Sequence, residues 1–390
     1  MKKIFVASDS FKGALSSLLV GEAIKRGLIR RFSDAGEAGG SYEVRVFPVG
    51  DGGEGSAEAV ISALGYEKKS FPVHDPHGGL TNAEYGILGR SAVFDAAECC
   101  GLALAKRYSL PLAHASSVGV GEMIAHLTSL GCTDITVCLG GSGTSDGGIG
   151  ALSALGARFF IDGEELTPPL SLDSLIRISE NAEKCACVTD GISFMRENVK
   201  LRLLYDSGVP LLGENGAVML YAAQKGADRA SLPMLENAME KYSRIAERAF
   251  GVSCVSAHGS GAAGGLGFAL SLLGGELAPG ADRILDLVGF SNGGVLSESV
   301  SLVITGEGRT DAQTVTGKLP SKVLAAVASR GERIPVICLC GMNDAVRELY
   351  DAGMTAVFAI GDRPMTLDES LARTAELLEK CAYSIGGIIF

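Results

Sequence analysis

Ser301-Leu-Val-Ile-Thr-Gly-Glu-Gly-Arg-Thr-Asp-Ala-Gln-Thr-Val-Thr-Gly-Lys318 is the stretch whose reading decides the fold. Its first five residues are apolar or β-branched and too few for a helix, which predicts a buried strand of a parallel sheet covered on both faces. From Gly306 the texture becomes that of a loop, with Glu307, Arg309, Thr310, Asp311 and Lys318 crowded before the apolar run that begins at Leu319. Ligands of open parallel sheets sit beyond the carboxyl ends of the strands, where such a loop would lie.

The same grammar recurs along the chain. A strand over Lys2 to Ser8 leads through Asp9-Ser-Phe-Lys12-Gly13 into a helix expected over Ala14 to Leu28. A second strand, Val44 to Val49, leads through Gly50-Asp51-Gly-Gly-Glu54-Gly55 into a helix over Ser56 to Leu64. Each of these loops sets a carboxylate after a strand and opens a helix whose positive end can hold an anion. Strand Asp134 to Leu139 runs into Gly140-Gly-Ser-Gly-Thr-Ser-Asp146-Gly-Gly148, and a further glycine loop spans His258 to Gly265. From about Phe71 the pattern changes, with Pro72, Pro76 and a hairpin expected at Gly89-Arg90, and strand-helix units return near Val300. This predicts α/β architecture with a discontinuous domain, residues 1–70 and 291–390, and a domain inserted at 71–290.

Composition narrows the function. The 390 residues suffice for two or three domains at about 150 residues each. Glycine, 53 residues, is about twice its usual share of roughly 7%, and it clusters without a period, as loops that bring backbone N–H groups to a ligand require. A net charge of −11 argues against nucleic-acid and membrane-surface partners. No charge-free apolar run approaches the roughly 20 residues of a spanning helix, and the expectation is a soluble, cytoplasmic protein. Ten cysteines without Cys-x-x-Cys and five histidines without zinc spacing point away from a disulfide scaffold or a His/Cys metal centre.

Two Gly-x-Gly-x-x-Gly matches occur, at Gly50, Gly52, Gly55 and at Gly259, Gly261, Gly264, but Asp51 and Glu54 would repel a pyrophosphate in the first and no clear strand precedes the second. A Walker loop is absent, because Ala312 stands where its first glycine is needed and Leu319 follows Lys318. Phosphate binding would then rest on anion nests at Gly140 to Gly148 and Gly259 to Gly265, the structural alternative being close helix-strand packing. Phosphoryl transfer also needs cations, magnesium carboxylates and a proton acceptor. Lys12, Arg309 and Lys318 are candidates for the first, Glu307, Asp311 and Asp146 for the second, and Asp9, Asp51 and Glu54 for the third.

Taken together, Asp9-Ser-Phe-Lys-Gly13, Asp51-Gly-Gly-Glu-Gly55, Gly140 to Gly148, Gln224-Lys-Gly-Ala227, Gly261-Ala-Ala-Gly-Gly265 and Ile304-Thr-Gly-Glu-Gly-Arg-Thr-Asp311 through Gly317-Lys318 resemble the bacterial type-1 glycerate kinases, in that family's order over nearly the whole length. The resemblance implies ATP-dependent, magnesium-dependent phosphorylation of glycerate, as in glyoxylate and glucarate catabolism. It also implies a flavodoxin-like (Rossmann-like) domain with an inserted restriction-endonuclease-like α/β domain. On the chemistry of the residues, not on the resemblance, Asp51 is taken as the base, Lys12 as the partner of the substrate carboxylate or moving phosphoryl group, and Glu307 and Asp311 as magnesium ligands. Gly140, Gly141, Ser142, Gly143, Thr144, Gly261, Gly264 and Gly265, with Arg309 and Lys318, would hold the triphosphate. The chain departs from the family at Asp206-Ser-Gly-Val-Pro-Leu211, where Val209 replaces an asparagine, at Ser8 in place of proline, and at Gly143 and Ser145 in place of alanine and asparagine. A non-catalytic glycerate or nucleotide sensor and a nicotinamide-dependent oxidoreductase remain alternatives. The acceptor carbon, the enantiomer and the oligomeric state, a homodimer among the options, stay open.

Overall fold

The computed structural model describes residues 2–36, 41–291, 299–311 and 314–389. The chain is a mixed α/β protein with several sheets and divides into two compact units, one of residues 1–51, 58–65 and 281–390, the other of residues 52–57 and 66–280.

The first unit is built on a five-stranded sheet in the order Ala356–Ala359, Val336–Asn343, Leu302–Thr310, Lys2–Val6, Tyr42–Val46. All its strands are parallel. Alternation along the strands fills both faces, as a buried parallel sheet requires. Ile4, Val6, Leu302 and Ile304 face the helices Ser17–Asp34 and Leu367–Ile389, while Phe5 turns the other way onto Phe47, which in turn meets Phe290. The two helices pack so closely that a β carbon at Gly27 would run into the Glu379 carbonyl.

Two expectations fail here. The chain from Gly306 to Thr310 is not loop but strand, paired with Val336–Asn343 as far as Thr310 opposite Asn343. One glycine on each strand makes room for the pairing: a β carbon at Gly306 would collide with the Leu339 carbonyl, and one at Gly341 would lie 2.7 Å from the Gly308 oxygen. The first helix starts at Ser17, not Ala14, because Phe11 and Leu15 exchange backbone hydrogen bonds around a tight turn. The Ser17 hydroxyl then pins the start, donating to the Ser8 carbonyl and accepting from the Val49 N–H.

The second unit carries a six-stranded mixed sheet, Glu276–Pro279, Lys200–Tyr205, Asp134–Cys138, Ser91–Asp95, Leu80–Leu88, Glu67–His74. Its first four strands are parallel and the last two add antiparallel, through the hairpin at Gly89-Arg90. A small antiparallel sheet of Glu164–Glu165, Arg158–Ile161 and Cys185–Val188 stands apart. The core gathers Phe94, Met123, Ile124, Val137, Leu203, Tyr242 and Phe268 from the large sheet and its helices. Among the described residues no helix is long and apolar enough to cross a membrane.

Candidate active site

In the first unit the chain beyond the Lys2–Val6 strand stays tied to its neighbour, with the Asp9 N–H donating to the Gly306 carbonyl. This holds the Asp9 carboxyl inside, only 8% exposed, where one oxygen accepts the Ser10 N–H at 2.7 Å. Burial, and after it the nearby Asp51 carboxylate, pushes the Asp9 carboxyl up to about 8 against the opposing pull of Lys12, and Glu307 adds to the rise. Lys12, itself exposed, reaches Asp51 at 3.7 Å. Asp9, Lys12, Asp51 and Glu307 therefore form one electrostatic cluster.

Glu307 also belongs to a further group. Its side chain is buried, accepts the Thr314 hydroxyl at 2.6 Å and lies 3.6 Å from the Lys318 ammonium, which is 3.1 Å from both oxygens of Asp311. Burial raises the Glu307 carboxyl, with Thr314 and Lys318 opposing. Lys318, expected on a phosphate, is thus held between two carboxylates, and Arg309 forms an exposed pair with Asp344 at 2.7 Å. Among the described residues no three His, Cys, Asp or Glu side chains group as a ready-made metal cage. Magnesium keeps much of its water and takes one or two carboxylates, and Glu307 with Asp311 supplies that kind of oxygen donor set.

In the second unit, the loops Gly140 to Gly148 and Gly261 to Gly265 lie against each other. Gly147 N–H donates to the Gly264 carbonyl, and a β carbon at Gly264 would collide with the Thr144 carbonyl, one at Gly265 with the Gly147 backbone. Ala263, Gly264 and Gly265 all adopt left-handed conformations, φ 52°, 68° and 95°. Successive residues of this kind can turn their N–H groups to one side, the geometry of an anion nest. Beside them is a cavity of about 280 Å³, lined by Gly140, Gly141, Ser142 and Gly261 to Gly264, with Glu54, Asp206, Tyr221 and Lys225. Gly143, Thr144 and Gly265, expected on phosphate, are not in its wall; Gly143 is packed on Ala105.

Asp146 is a correction. Expected among the magnesium carboxylates, it is fully buried, and its oxygens accept the N–H groups of Ser117, Gly148 and Gly150 and the Ser117 hydroxyl. It shapes the loop and has no face left for a metal. Another correction concerns the helix Ser56–Leu64, whose positive end is closed by an internal carboxylate: Asp95 accepts the N–H groups of Gly55 and Ala57 at 2.8 and 2.9 Å. Glu54 thereby stays with Gly141 and the cavity, and Asp51, three residues earlier, with Lys12 and Asp9.

Lys225 is the residue that motif reasoning missed. Its stem reaches solvent while its ammonium is enclosed and donates to the Ser142 hydroxyl at 2.9 Å and the Thr144 carbonyl at 2.7 Å. Burial pushes its pKa down to about 8, against the pull of Cys100, Asp146 and Asp206. Its position in Gln224-Lys225-Gly226-Ala227 was the available signal. At Val209, where the family asparagine is absent, the backbone carbonyl accepts the Gly261 N–H at 3.0 Å, so that main-chain link does not depend on the side chain.

These two sets of groups can be set beside known proteins. The chain is 34% identical over 394 residues to a glycerate kinase of Halalkalibacterium halodurans, covering 99% of this chain and 97% of that one. It is 35% identical over 377 residues to the glycerate 2-kinase of Escherichia coli K12, covering 94% and 93%. A crystal structure from Salmonella typhimurium LT2, provisionally described as glycerate kinase 2, superposes with a TM-score of 0.81 at 30% identity over 100% of this chain and 98% of that one. With the glycerate kinase family model matching residues 4–389, the chain belongs to the glycerate kinase family.

Proposed function

We propose that this protein transfers the γ-phosphoryl group of ATP to the C2 hydroxyl of glycerate, giving 2-phosphoglycerate and ADP. The observation that carries the reading is the Asp9, Lys12, Asp51 cluster at the carboxyl end of a parallel sheet, in a chain whose full-length relatives bear the glycerate kinase name. Strand order supports a flavodoxin-like first unit, since the strands run second, first, third, fourth, fifth along its sheet. The inserted endonuclease-like domain is supported by the mixed sheet of the second unit. Ten free thiols suit the reducing cytoplasm.

Asp51 accepts the hydroxyl proton, for Asp9 beside it keeps its own proton to about pH 8. Lys12, exposed and next to Asp51, meets the substrate carboxylate or the moving phosphoryl group. Glu307 and Asp311 would hold magnesium, which when bound neutralises phosphate charge. The glycine loops of the second unit take the nucleotide's phosphates. The sensor alternative drew on Val209, where the carbonyl still holds Gly261, and no observation favours it.

The test is ADP release that requires both glycerate and magnesium, with phosphorus NMR of the product. The 2-phosphate resonance is expected. Binding of glycerate or ATP without product would overturn the kinase reading, and a 3-phosphate product would overturn the acceptor carbon.

A further inference from the structure

We infer that Lys225 is the cation that grips the nucleotide's phosphates, and that the cavity beside it takes them as their complex with a divalent metal. The inference rests on the kinase reading for the identity of the ligand, but the site itself is argued from the second unit alone.

The other cations named from the sequence are already matched with carboxylates: Lys318 with Glu307 and Asp311, Arg309 with Asp344, Lys12 with Asp51. Lys225 differs. Its two hydrogen-bond partners, the Ser142 hydroxyl and the Thr144 carbonyl, are neutral oxygens, and an ammonium has three protons to give. The carboxylates of Asp146 and Asp206 attract this ammonium but do not hydrogen-bond it, so the enclosed cation keeps a proton for an anion that enters the cavity. Ser142 extends that reach: because its oxygen accepts from Lys225, its own proton is left to donate into the cavity it lines. The left-handed Ala263 and Gly264 form another wall of the same cavity, in a backbone conformation that disfavours a non-glycine residue and that can present N–H groups to an anion. Glu54 and Asp206 also line the space. They would repel a bare polyphosphate, which is why the assigned ligand is the metal complex.

Titration calorimetry with ADP plus magnesium, ADP alone, adenosine, and glycerate tests this on the full chain. For Lys225→Met we expect affinity for magnesium-ADP to fall by about 10- to 100-fold, the usual size for a hydrogen bond to a charged group, with adenosine and glycerate binding retained. Ser142→Ala should lose a smaller factor, about 2- to 10-fold. Retained adenosine binding shows that the variant is folded. Wild-type affinity for magnesium-ADP in Lys225→Met, equal loss of adenosine and ADP, loss of glycerate instead, or no binding of magnesium-ADP by the wild type would each overturn the assignment. So would tighter binding of ADP without magnesium than with it. Wild-type protein that binds magnesium-ADP through Lys225 yet forms no phosphoglycerate would sink the kinase reading and leave the Lys225 assignment standing.

Discussion

The two units handle charge in opposite ways. In the first, side chains do it: Asp9, Asp51, Glu307 and Asp311 are set against Lys12 and Lys318, and the excess of carboxylates helps burial push Asp9 up to about 8. In the second, the main chain does it, with glycine loops folded on one another and an enclosed ammonium that burial drives down to about 8. The same physical cause, removal from water, thus moves an acid and a base toward one another from opposite ends of the pH scale. A region that binds by side chains can exchange protons with a substrate, whereas one that binds by backbone amides offers geometry and fixed dipoles. Under the proposed function, proton transfer would fall to the first and polyphosphate binding to the second.

The largest expected effect tests that division directly. Asp51→Asn should lower kcat by about 10²- to 10⁴-fold, the usual span for a lost general base, while calorimetry finds ADP affinity unchanged. An equal fall in ADP affinity would erase the distinction. Next comes Gly264→Ala, whose methyl group has no room beside the Thr144 carbonyl and whose φ of 68° disfavours a side chain. A loss of about 1–3 kcal/mol in denaturant unfolding is expected, together with weakened nucleotide binding. Unaltered stability would mean that the loops are not packed as described.

Two pH profiles sharpen the contrast further. Asp9 binds its proton more tightly folded than unfolded, so it favours the folded state most below about pH 4 and this contribution is lost as pH rises to about 8. In Asp9→Asn that decline in stability between pH 5 and 8 should flatten. Lys225 has the reverse sign: the unfolded chain holds the proton more tightly, so stability gains between about pH 8 and 10.5, a gain that Lys225→Met should lack. Thermal unfolding across that range reads both; slopes of one sign would break the comparison. Smallest of all is Arg309→Ala, which removes an exposed pair with Asp344 and should cost no more than about 1 kcal/mol. A loss of nucleotide affinity in that variant would restore Arg309 to the phosphate site.

Much of this was legible in the sequence because periodicity and punctuation agree. The helix Ser56–Leu64 follows its glycine loop with the bounds expected. Glycine misled where it served packing between strands: Gly306 and Gly308 read as a loop but sit in a strand, since pairing across Leu339 and Gly341 is a long-range fact. Loop carboxylates were found but not sorted. Asp146 and Asp51 look alike in sequence, and only the fold shows that one is consumed by four hydrogen bonds and the other lies beside a lysine. Lys225 stood in a quoted stretch, Gln224 to Ala227, but its role was not legible there, because it comes from Ser142 and Thr144, about eighty residues away along the chain.

The run from Ala263 to Gly265 has a consequence for how this enzyme can be dissected. Alanine scanning deletes side chains, and here there is almost nothing to delete: Ala263 is already alanine, and replacing Gly264 or Gly265 inserts a methyl group and reports on crowding, not on recognition. Only an amide-to-ester exchange in a semisynthetic chain, which removes the donor and keeps the shape, would weigh the peptide groups themselves. A mutagenesis survey of the usual kind would therefore credit the chemistry to the carboxylate-rich unit and mistake its glycine-rich neighbour for mere scaffold.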